Sequence, residues 1–272
     1  MSSRSRTVET SLIATLDILG VSGMMKAAQK EALPKLAQSL EKAFQEAKAG
    51  MAHYIDAIDT TSQPGLKMAR FIKTRVFSDT IVVSCDFSRI MHEVPLFSRL
   101  DCPEYQRMVL GFFICVKSLA LSLFRDGYPT RGCIASGQII STKDFIIGKP
   151  FVESLEIAKE LNFAGVVLTD CAKLMYEAFA PRLNEFARQA PVETHLLYDK
   201  SNKRRRYYCL NVLDFHDDKY LVTNMVSSFF AHGKVFSSDV QEKITNTQRL
   251  FESFLKTVRR NEIDSRSAPF ST

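Results

Sequence analysis

The chain has 272 residues, of which 46% are hydrophobic and 24% charged, and its formal net charge is +6. These proportions are typical of globular proteins and exclude a chain that is disordered along most of its length. No run approaches the roughly 18–20 consecutive apolar residues of a membrane-spanning helix, and the N-terminus lacks the apolar region of a signal peptide. We therefore expect a cytoplasmic protein that does not contact a membrane.

The cysteines show no CxxC spacing of the kind found in zinc sites and redox motifs. The six are Cys85, Cys102, Cys115, Cys133, Cys171 and Cys209. Four of them lie in apolar stretches, which is typical of reduced thiols in a protein core. The five histidines form no metal-ligand pattern with them. The sequence thus predicts free thiols rather than a disulfide framework or a zinc site.

Much of the positive charge falls in one run, from Lys203 to Arg206. Such a run can bind nucleic acid, form a charged hairpin turn or contact the phosphates of a nucleotide. No recognition helix, zinc finger or RNP-type motif accompanies it. We therefore expect no nucleic-acid partner, and the other two interpretations stay open.

The first half of the chain alternates apolar strands with helical patterns. In chain order the sequence predicts a disordered leader over 1–8, a strand over 11–19, a helix over 24–48, strands over 70–77 and 80–85, and a helix over 105–124. Pro34 is predicted to kink or split the first helix. Ser78 and Asp79 form the turn that joins the two central strands into a hairpin.

The second half continues with shorter elements. It predicts strands over 131–140 and 145–147, a helix over 151–161, a strand over 166–168, a helix over 170–179, a hairpin of 192–198 and 207–212, and an amphipathic helix over 238–259. This order is typical of an α+β fold of the split βαβ, ferredoxin-like type, with helices on one face of a mainly antiparallel sheet. We expect a single domain over 9–272, with a core of about 12–213 and a helical extension over 216–260.

Two aspartates stand at unusual places in these elements. Asp17 ends an otherwise apolar strand, where a carboxylate is costly to bury without partners, and Asp79 lies at the tip of the hairpin. If the hairpin pairs beside the first strand, the two carboxylates converge and can hold two Mg²⁺ or Mn²⁺ ions about 4 Å apart, as in phosphoryl-transfer sites. Alternatively, Asp17 caps the following helix and Asp79 is an ordinary turn residue.

The residues that follow Asp17 predict a phosphate-binding turn. A strand, a turn of small residues and a helix N-terminus together present backbone N–H groups to an anion. The residues that would supply these groups are Ile18, Leu19, Gly20, Val21 and Ser22.

Four segments, in order, resemble motifs of the class III adenylyl and guanylyl cyclases. Residues 16–22 resemble the strand end F-x-D-I-x-G-F-T, residues 75–83 the hairpin K-x-x-G-D, residues 131–137 the strand R-x-G-I-x-x-G, and residues 147–156 with 165–168 the W-G-x-x-V-N-x-A-x-R helix and the strand after it. The resemblance spans about Leu12 to Cys171. It implies a cyclase sheet, Asp17, Ile18 and Asp79 as ligands of two Mg²⁺ or Mn²⁺ ions, and a homodimer whose active sites form between subunits.

The departures from the family pattern concern the nucleotide base and the transition state. Arg75 stands at the position of the adenine-reading lysine and Phe145 at that of the purine-selecting aspartate, so purine specificity is not inherited. Phe77 is a further candidate for the base pocket. The family's ribose-binding asparagine and transition-state arginine become Val152 and Glu156.

Another cation must then stabilise the transferring phosphate, and the candidates are Lys203, Arg204 and Lys149. Each of these could equally be a solvated surface side chain.

The pattern most resembles the bacterial pyrimidine cyclases of Pycsar anti-phage defence. That resemblance implies a nucleoside triphosphate substrate, UTP favoured over CTP, and a cyclic nucleotide product that a separate effector protein senses. Two alternatives stay open: a purine cyclase, and a non-catalytic module with the cyclase fold that binds nucleotide for signalling.

Overall fold

Strands and helices alternate along the chain in the computed structural model, which describes residues 9–26, 31–58, 71–87, 103–142, 145–179, 192–201, 203–213, 218–234 and 240–267. In order they are β1 (Glu9–Ile18), α1 (Val21–Lys26), α2 (Ala32–Ile58), β2 (Ile72–Phe77), β3 (Thr80–Asp86), α3 (Pro103–Arg125), β4 (Thr130–Ser141), β5 (Ile146–Ile147), α4 (Lys149–Glu160), β6 (Gly165–Leu168), α5 (Asp170–Phe179), β7 (Val192–Tyr198), β8 (Arg204–Leu210), α6 (Asp218–Phe230) and α7 (Val240–Ser267). The leader predicted over 1–8 lies outside the described residues.

The eight strands form one sheet in the order β2-β3-β1-β4-β6-β8-β7, with β5 paired to β4. Among these described strands, β4 and β6 run parallel and the other neighbours run antiparallel. The predicted α+β class and the mainly antiparallel sheet are therefore confirmed. The late hairpin of β7 and β8 is part of this sheet, because β8 pairs with β6.

One face of the sheet carries the large hydrophobic core. Alternate residues of β1, among them Leu12 and Leu16, point into it, and the buried side chains of α2, α3 and α7 complete it. Within the described residues, α3 is the one helix long and apolar enough to cross a membrane, over Tyr105–Arg125. Because 89% of its apolar window is buried inside the protein, α3 is the central helix of this core.

The opposite face is covered as well, which corrects the prediction that the helices lie on one face. Ile13, Val82 and Ala135 form a second, smaller cluster, and Phe151 of α4 packs against it. The physical reason is that Ile13, Val82 and Ala135 lie on three adjacent strands and give this face an apolar patch of its own, which is covered by α4.

Two details of the helices also differ from prediction. Pro34 falls in the first turn of α2, where proline is tolerated, so it lies at the start of this helix and does not kink or split it. Helix α6 lies within the predicted extension but was not recognised as a separate element.

The predicted free thiols are confirmed for Cys85, Cys115, Cys133, Cys171 and Cys209, whereas Cys102 lies outside the described residues.

Candidate active site

The two aspartates lie beside each other at one end of the sheet. Asp17 pairs in register with Thr80 of β3, the residue that directly follows Asp79. The N–H of Ile18 donates to the backbone carbonyl of Asp79 at 2.8 Å, which fixes the hairpin turn against the end of β1. Ser22 of α1 donates from its hydroxyl to Oδ2 of Asp79 at 3.3 Å. The hairpin therefore lies where the sequence placed it, next to the first strand.

Asp17 is held by an arginine to which the sequence analysis gave no role. Arg131, its register partner on β4, donates from Nε to Oδ2 of Asp17 at 2.7 Å, and its Nη2 lies 2.5 Å from the same oxygen. The guanidinium also donates to the carbonyls of Lys159 and Leu161, both at 3.2 Å. The available signal was its place in a cyclase-like motif: a charged residue beginning an otherwise apolar strand.

Opposing effects act on the pKa of the Asp17 carboxyl, and their net result is a raised pKa. Burial raises the pKa of its carboxyl above the ordinary value, and the negative charge of Asp79 raises it further. The charge and hydrogen bond of Arg131 lower it, and so, more weakly, does the charge of Lys200. Two carboxylates are thus close enough to repel each other, which is the situation a divalent cation relieves.

The donor set fits a hard divalent cation. No group of three or more His, Cys, Asp or Glu side chains converges within the described part of the chain. Magnesium, however, is usually held by one or two carboxylates together with substrate phosphates and water. Both contacts from Arg131 go to Oδ2 of Asp17, and Ser22 also contacts Oδ2 of Asp79. The Oδ1 atoms are therefore not engaged by these partners, and Asp17 and Asp79 fit a shared ion.

The predicted phosphate-binding turn is corrected in part. The N–H of Ile18 donates to Asp79, and the N–H of Leu19 donates to the carbonyl of Pro129 at 2.9 Å, so neither group is available to an anion. A strand end that is hydrogen-bonded on both sides uses its own amides for the sheet. The amides of Gly20, Val21 and Ser22, at the start of α1, remain predicted phosphate ligands.

Phe77, one of the predicted base-pocket residues, lies on the same face of the sheet as Asp17. Phe77, Thr80, Asp17 and Arg131 are register partners across four adjacent strands, so their side chains share one row and one face. Phe77 is two strands from Asp17, which is about 10 Å at the usual strand spacing. Its side chain is 50% exposed.

Arg75 and Phe145 are in contact. The guanidinium of Arg75 donates from Nη1 to the backbone carbonyl of Phe145 at 3.5 Å, linking β2 to the loop before β5. The structure thus brings these two predicted residues together beside the row of Phe77 and Asp17.

The predicted cations are placed differently from one another. Lys203 and Arg204 are exposed residues at the tip of the β7–β8 hairpin, where the backbone N–H of Lys203 donates to Asp199. The charge of Lys200, in the same tip, also lowers the pKa of Asp17, more weakly than Arg131 does. The N–H of Lys200 donates to the carbonyl of Glu160. This hydrogen bond holds the hairpin tip against the end of α4 whose carbonyls Arg131 also contacts. Lys203 and Arg204 stay predictions, and the sequence analysis did not single out Lys200.

Lys149 lies away from Asp17 of the same subunit, and its role as a catalytic cation stays a prediction. It begins α4, whereas Arg131 contacts the carbonyls at the other end of that helix. Twelve residues of helix separate the two ends, about 15–18 Å at the usual rise. Lys149 instead borders a cleft of about 470 Å³ beside Gly137 and Glu153.

Comparison with known proteins gives remote structural similarities. No protein-family model and no curated protein matches the sequence. Among solved structures, the guanylyl cyclase Cya2 aligns over 77% of this chain and 95% of its own, with 10% identity and a TM-score of 0.40. The adenylyl cyclase CyaB from P. aeruginosa aligns over 76% and 95%, with 12% identity and a TM-score of 0.41.

A third similar structure contains a bound nucleotide. The catalytic core of a rhodopsin-guanylyl cyclase with converted specificity, in complex with ATPalphaS, aligns over 75% of this chain and 95% of its own, with 10% identity and a TM-score of 0.43. Similarities with TM-scores below 0.5 do not assign an activity to this chain. Its own residues have to carry the functional assignment.

Proposed function

We propose that the chain is a nucleotidyl cyclase of the class III type, which converts a pyrimidine nucleoside triphosphate, UTP in preference to CTP, to the 3′,5′-cyclic monophosphate and pyrophosphate. The observation that carries the proposal is the pairing of the two carboxylates. Asp17 and Asp79 lie together at adjacent strand ends, at the two positions where the chain resembles the metal-binding motifs of that family. Arg131 and Ser22 orient them.

Asp17, Asp79 and the carbonyl of Ile18 would hold two Mg²⁺ or Mn²⁺ ions. When bound, such ions lower the pKa of a ribose hydroxyl and neutralise charge on the phosphates. Arg131 keeps the Asp17 carboxylate in one orientation with its Oδ1 oxygen available. Ser22 does the same for Asp79 from the first turn of α1.

The reaction is an in-line displacement at the α-phosphorus. A bond forms between the ribose 3′ oxygen and phosphorus, the bond from phosphorus to the β-phosphate oxygen breaks, and pyrophosphate leaves with that electron pair. The proton of the 3′ hydroxyl passes to water. Arg131 is already paired with Asp17, so Lys203 or Arg204 of the β7–β8 hairpin is proposed to offset the charge of the transferring group in place of the missing arginine, and the neighbouring Lys200, whose charge lowers the pKa of Asp17, supports this placement.

The contact between Arg75 and Phe145 supports a pyrimidine substrate. Arginine carries hydrogen-bond donors only, which match the O4 acceptor of uracil and do not match the amino group of cytosine. The Phe145 ring replaces a carboxylate that would accept hydrogen bonds from a purine. Arg75 is held through the backbone carbonyl of Phe145, and a phenylalanine ring in place of a carboxylate would favour stacking over hydrogen bonding with the base.

The test is incubation of the purified chain with each of the four ribonucleoside triphosphates and Mn²⁺, with products identified by mass spectrometry. We expect cyclic UMP from UTP, and loss of product by at least about 100-fold in Asp17→Asn and Asp79→Asn, the size of effect typical for essential electrostatic groups. Asp170→Asn, an exposed aspartate at the start of α5, is the matched control and should retain activity.

The other outcomes distinguish the alternatives. Product from ATP or GTP alone would support the purine cyclase. Measurable nucleotide binding with no product from any of the four would support the non-catalytic module. Equal activity in wild type and in both aspartate variants would refute the role of the carboxylate pair.

A homodimer with shared active sites is the second part of the proposal. It is supported by Val76 and Phe77, apolar side chains that are 40% and 50% exposed on the edge strand β2, next to the site. If each site uses Asp17 from one subunit and Arg75 from the other, mixing the inactive Asp17→Asn and Arg75→Ala proteins should restore part of the activity. A monomer by sedimentation, with no restoration on mixing, would contradict it.

We further propose that the product acts as a cytoplasmic second messenger in anti-phage defence, sensed by a separate effector. The support is the similarity of the base-pocket residues Arg75 and Phe145 to the Pycsar pattern. The measurement is cyclic UMP in cells that express the wild-type chain or Asp17→Asn, before and after phage infection. A rise confined to infected wild-type cells is expected.

A further inference from the structure

The turn of residues 126–130 joins the core helix α3 to β4, next to the end of β1 that carries Asp17. Helix α3 ends with the two hydrogen bonds of a Schellman motif, from the N–H of Tyr128 to Leu123 at 2.7 Å and from the N–H of Gly127 to Phe124 at 3.0 Å. Gly127 has a φ of 82°, and a β-carbon there would lie 2.6 Å from that of Ala231. The turn and the segment 231–234 are therefore in close contact.

Segment 231–234, which follows α6, binds the carbonyls of this turn. His232 donates from Nε2 to the carbonyl of Asp126 at 2.7 Å, since a carbonyl can only accept, and its ring stacks on Tyr128 with the centroids 4.4 Å apart. Lys234 donates to the carbonyls of Gly127 and Ser228, and its ammonium lies 5.0 Å from the centre of the Tyr128 ring. Segment 231–234 thus contacts three successive residues of the turn, Asp126, Gly127 and Tyr128.

The same turn continues directly into the site. The carbonyl of Pro129 accepts the N–H of Leu19 at 2.9 Å, and Thr130 is the register partner of Ile18. Asp17 follows in that register, opposite Arg131. Residues 126–130 are therefore bound by segment 231–234 on one side and by the end of β1 on the other.

We propose that Lys234 and His232 are positioning residues, which hold the turn of residues 126–130 and thereby fix the β1–α1 turn that carries Asp17. The catalytic part of this inference depends on the proposed function, whereas the mechanical coupling does not.

The chemistry of Lys234 explains why the coupling depends on it. Lysine is rarely buried, and Lys234 is 5% exposed, with two carbonyls and an aromatic face around its amine. Burial lowers the pKa of Lys234 to about 7. The neighbouring carboxylate of Asp126 is already paired with Lys42 of α2 at 2.9 Å. Since the charged and neutral amines can both donate two hydrogen bonds, replacing the lysine, rather than titrating it, is what removes the contact.

The experiment compares amide hydrogen exchange in the full chain for wild type, Lys234→Met and His232→Gly. Methionine keeps the length and apolar stem without a donor. Glycine removes the stacking ring while accepting the positive φ of 60° at position 232. Lys256→Met, at an exposed position of α7, is the matched control. We expect exchange of the Leu19 amide to be at least about tenfold faster in both variants and unchanged in the control, because local opening reports the lost hydrogen bonds.

Turnover kinetics then test the positioning role separately. With the best substrate and Mn²⁺, the two variants should lose kcat by about tenfold or more with a smaller change in KM, as expected when catalytic groups are misplaced. If neither variant changes the exchange of Leu19, the coupling is refuted. If exchange is faster but kcat is normal, the positioning role is refuted. If wild type has no cyclase activity, the exchange result still decides the coupling, and the proposed function fails independently.

Discussion

Replacement of Arg131 by methionine tests the electrostatic logic of the site without changing a predicted metal ligand. The guanidinium makes two contacts with Oδ2 of Asp17 and two hydrogen bonds to the carbonyls of Lys159 and Leu161. The side chains of Arg131 and Asp17 are 12% and 16% exposed, so water can replace these contacts only in part. Methionine fills similar space but leaves the carboxylate without its cation.

The expected loss of stability follows from these contacts. Breaking a buried ion pair by removing one partner costs about 3–5 kcal/mol, because the other charge is left uncompensated. Asp17 can take up a proton, since its pKa is already raised by burial, and this places the loss at the lower end, about 3 kcal/mol. For a chain of this size each 1 kcal/mol corresponds to roughly 2–4 °C in Tm, so we expect a decrease of about 6–12 °C.

The pH dependence gives the sign of the effect. Arg131 lowers the pKa of Asp17, so its removal raises that pKa further. The stability that Arg131 contributes through this pair is therefore present where Asp17 is ionised, above its folded pKa, and is lost as the pH falls and the carboxyl becomes neutral. The difference between wild type and Arg131→Met should be largest at neutral pH and smallest near pH 4.

The assay is urea denaturation followed by far-UV circular dichroism at several pH values, since the chain contains no tryptophan for fluorescence. The double variant Asp17→Asn with Arg131→Met should recover much of the lost stability, because no orphan carboxylate remains. A loss below about 1 kcal/mol at pH 7, or one that does not change with pH, would refute the assignment of Arg131 as the partner that compensates Asp17.

Three further predictions concern local geometry and thiol chemistry. Gly132→Ala should lower the free energy of unfolding by about 3 kcal/mol in denaturant titrations, because its β-carbon would lie 2.6 Å from the carbonyl oxygen of Thr15; an unchanged denaturation midpoint would contradict this. Ser78→Gly should raise the free energy of unfolding by up to about 1 kcal/mol, because Ser78 has a φ of 58°, and an unchanged denaturation midpoint would show that the turn relaxes. Cys171→Ser should remove one equivalent of thiol labelling from the native protein, since Cys171 is exposed, and labelling equal to wild type would place the reactive thiol elsewhere.

The candidate site could be predicted where the chain carries local signals. Asp17 and Asp79 stand out because each interrupts an apolar context, and a short hairpin between two strands requires that its tip lie at a sheet edge. The motif order then indicated which strand the hairpin would join. Arg131 begins a cyclase-like motif, but an arginine at a strand start, like a lysine in a basic turn, is common on any surface, so neither Arg131 nor Lys200 was given a role from the sequence.

Several features depended on contacts between residues far apart in sequence. The sequence predicts that the amides of Ile18 and Leu19 bind phosphate, but in the structure they donate to the carbonyls of Asp79 and Pro129. Lys149 is a candidate cation in the sequence, and only the direction of α4 shows that it lies at the far end of this helix from Asp17 of the same subunit. The role of segment 231–234 likewise appears only when α6 returns the chain to the end of α3.

The amino-acid sequence by itself determined the alternation of strands and helices, the α+β class and the identity of two carboxylates, one at a strand end and one in a hairpin turn. These follow from periodicity and from the cost of placing a charge in an apolar strand, both of which act over a few residues. Tertiary structure alone decided that α4 covers the second face, that Arg131 compensates the charge of Asp17 and that segment 231–234 contacts the turn of residues 126–130. These outcomes depend on strand order and helix direction, because a hydrogen bond or an ion pair forms only where the fold brings both partners within about 3 Å.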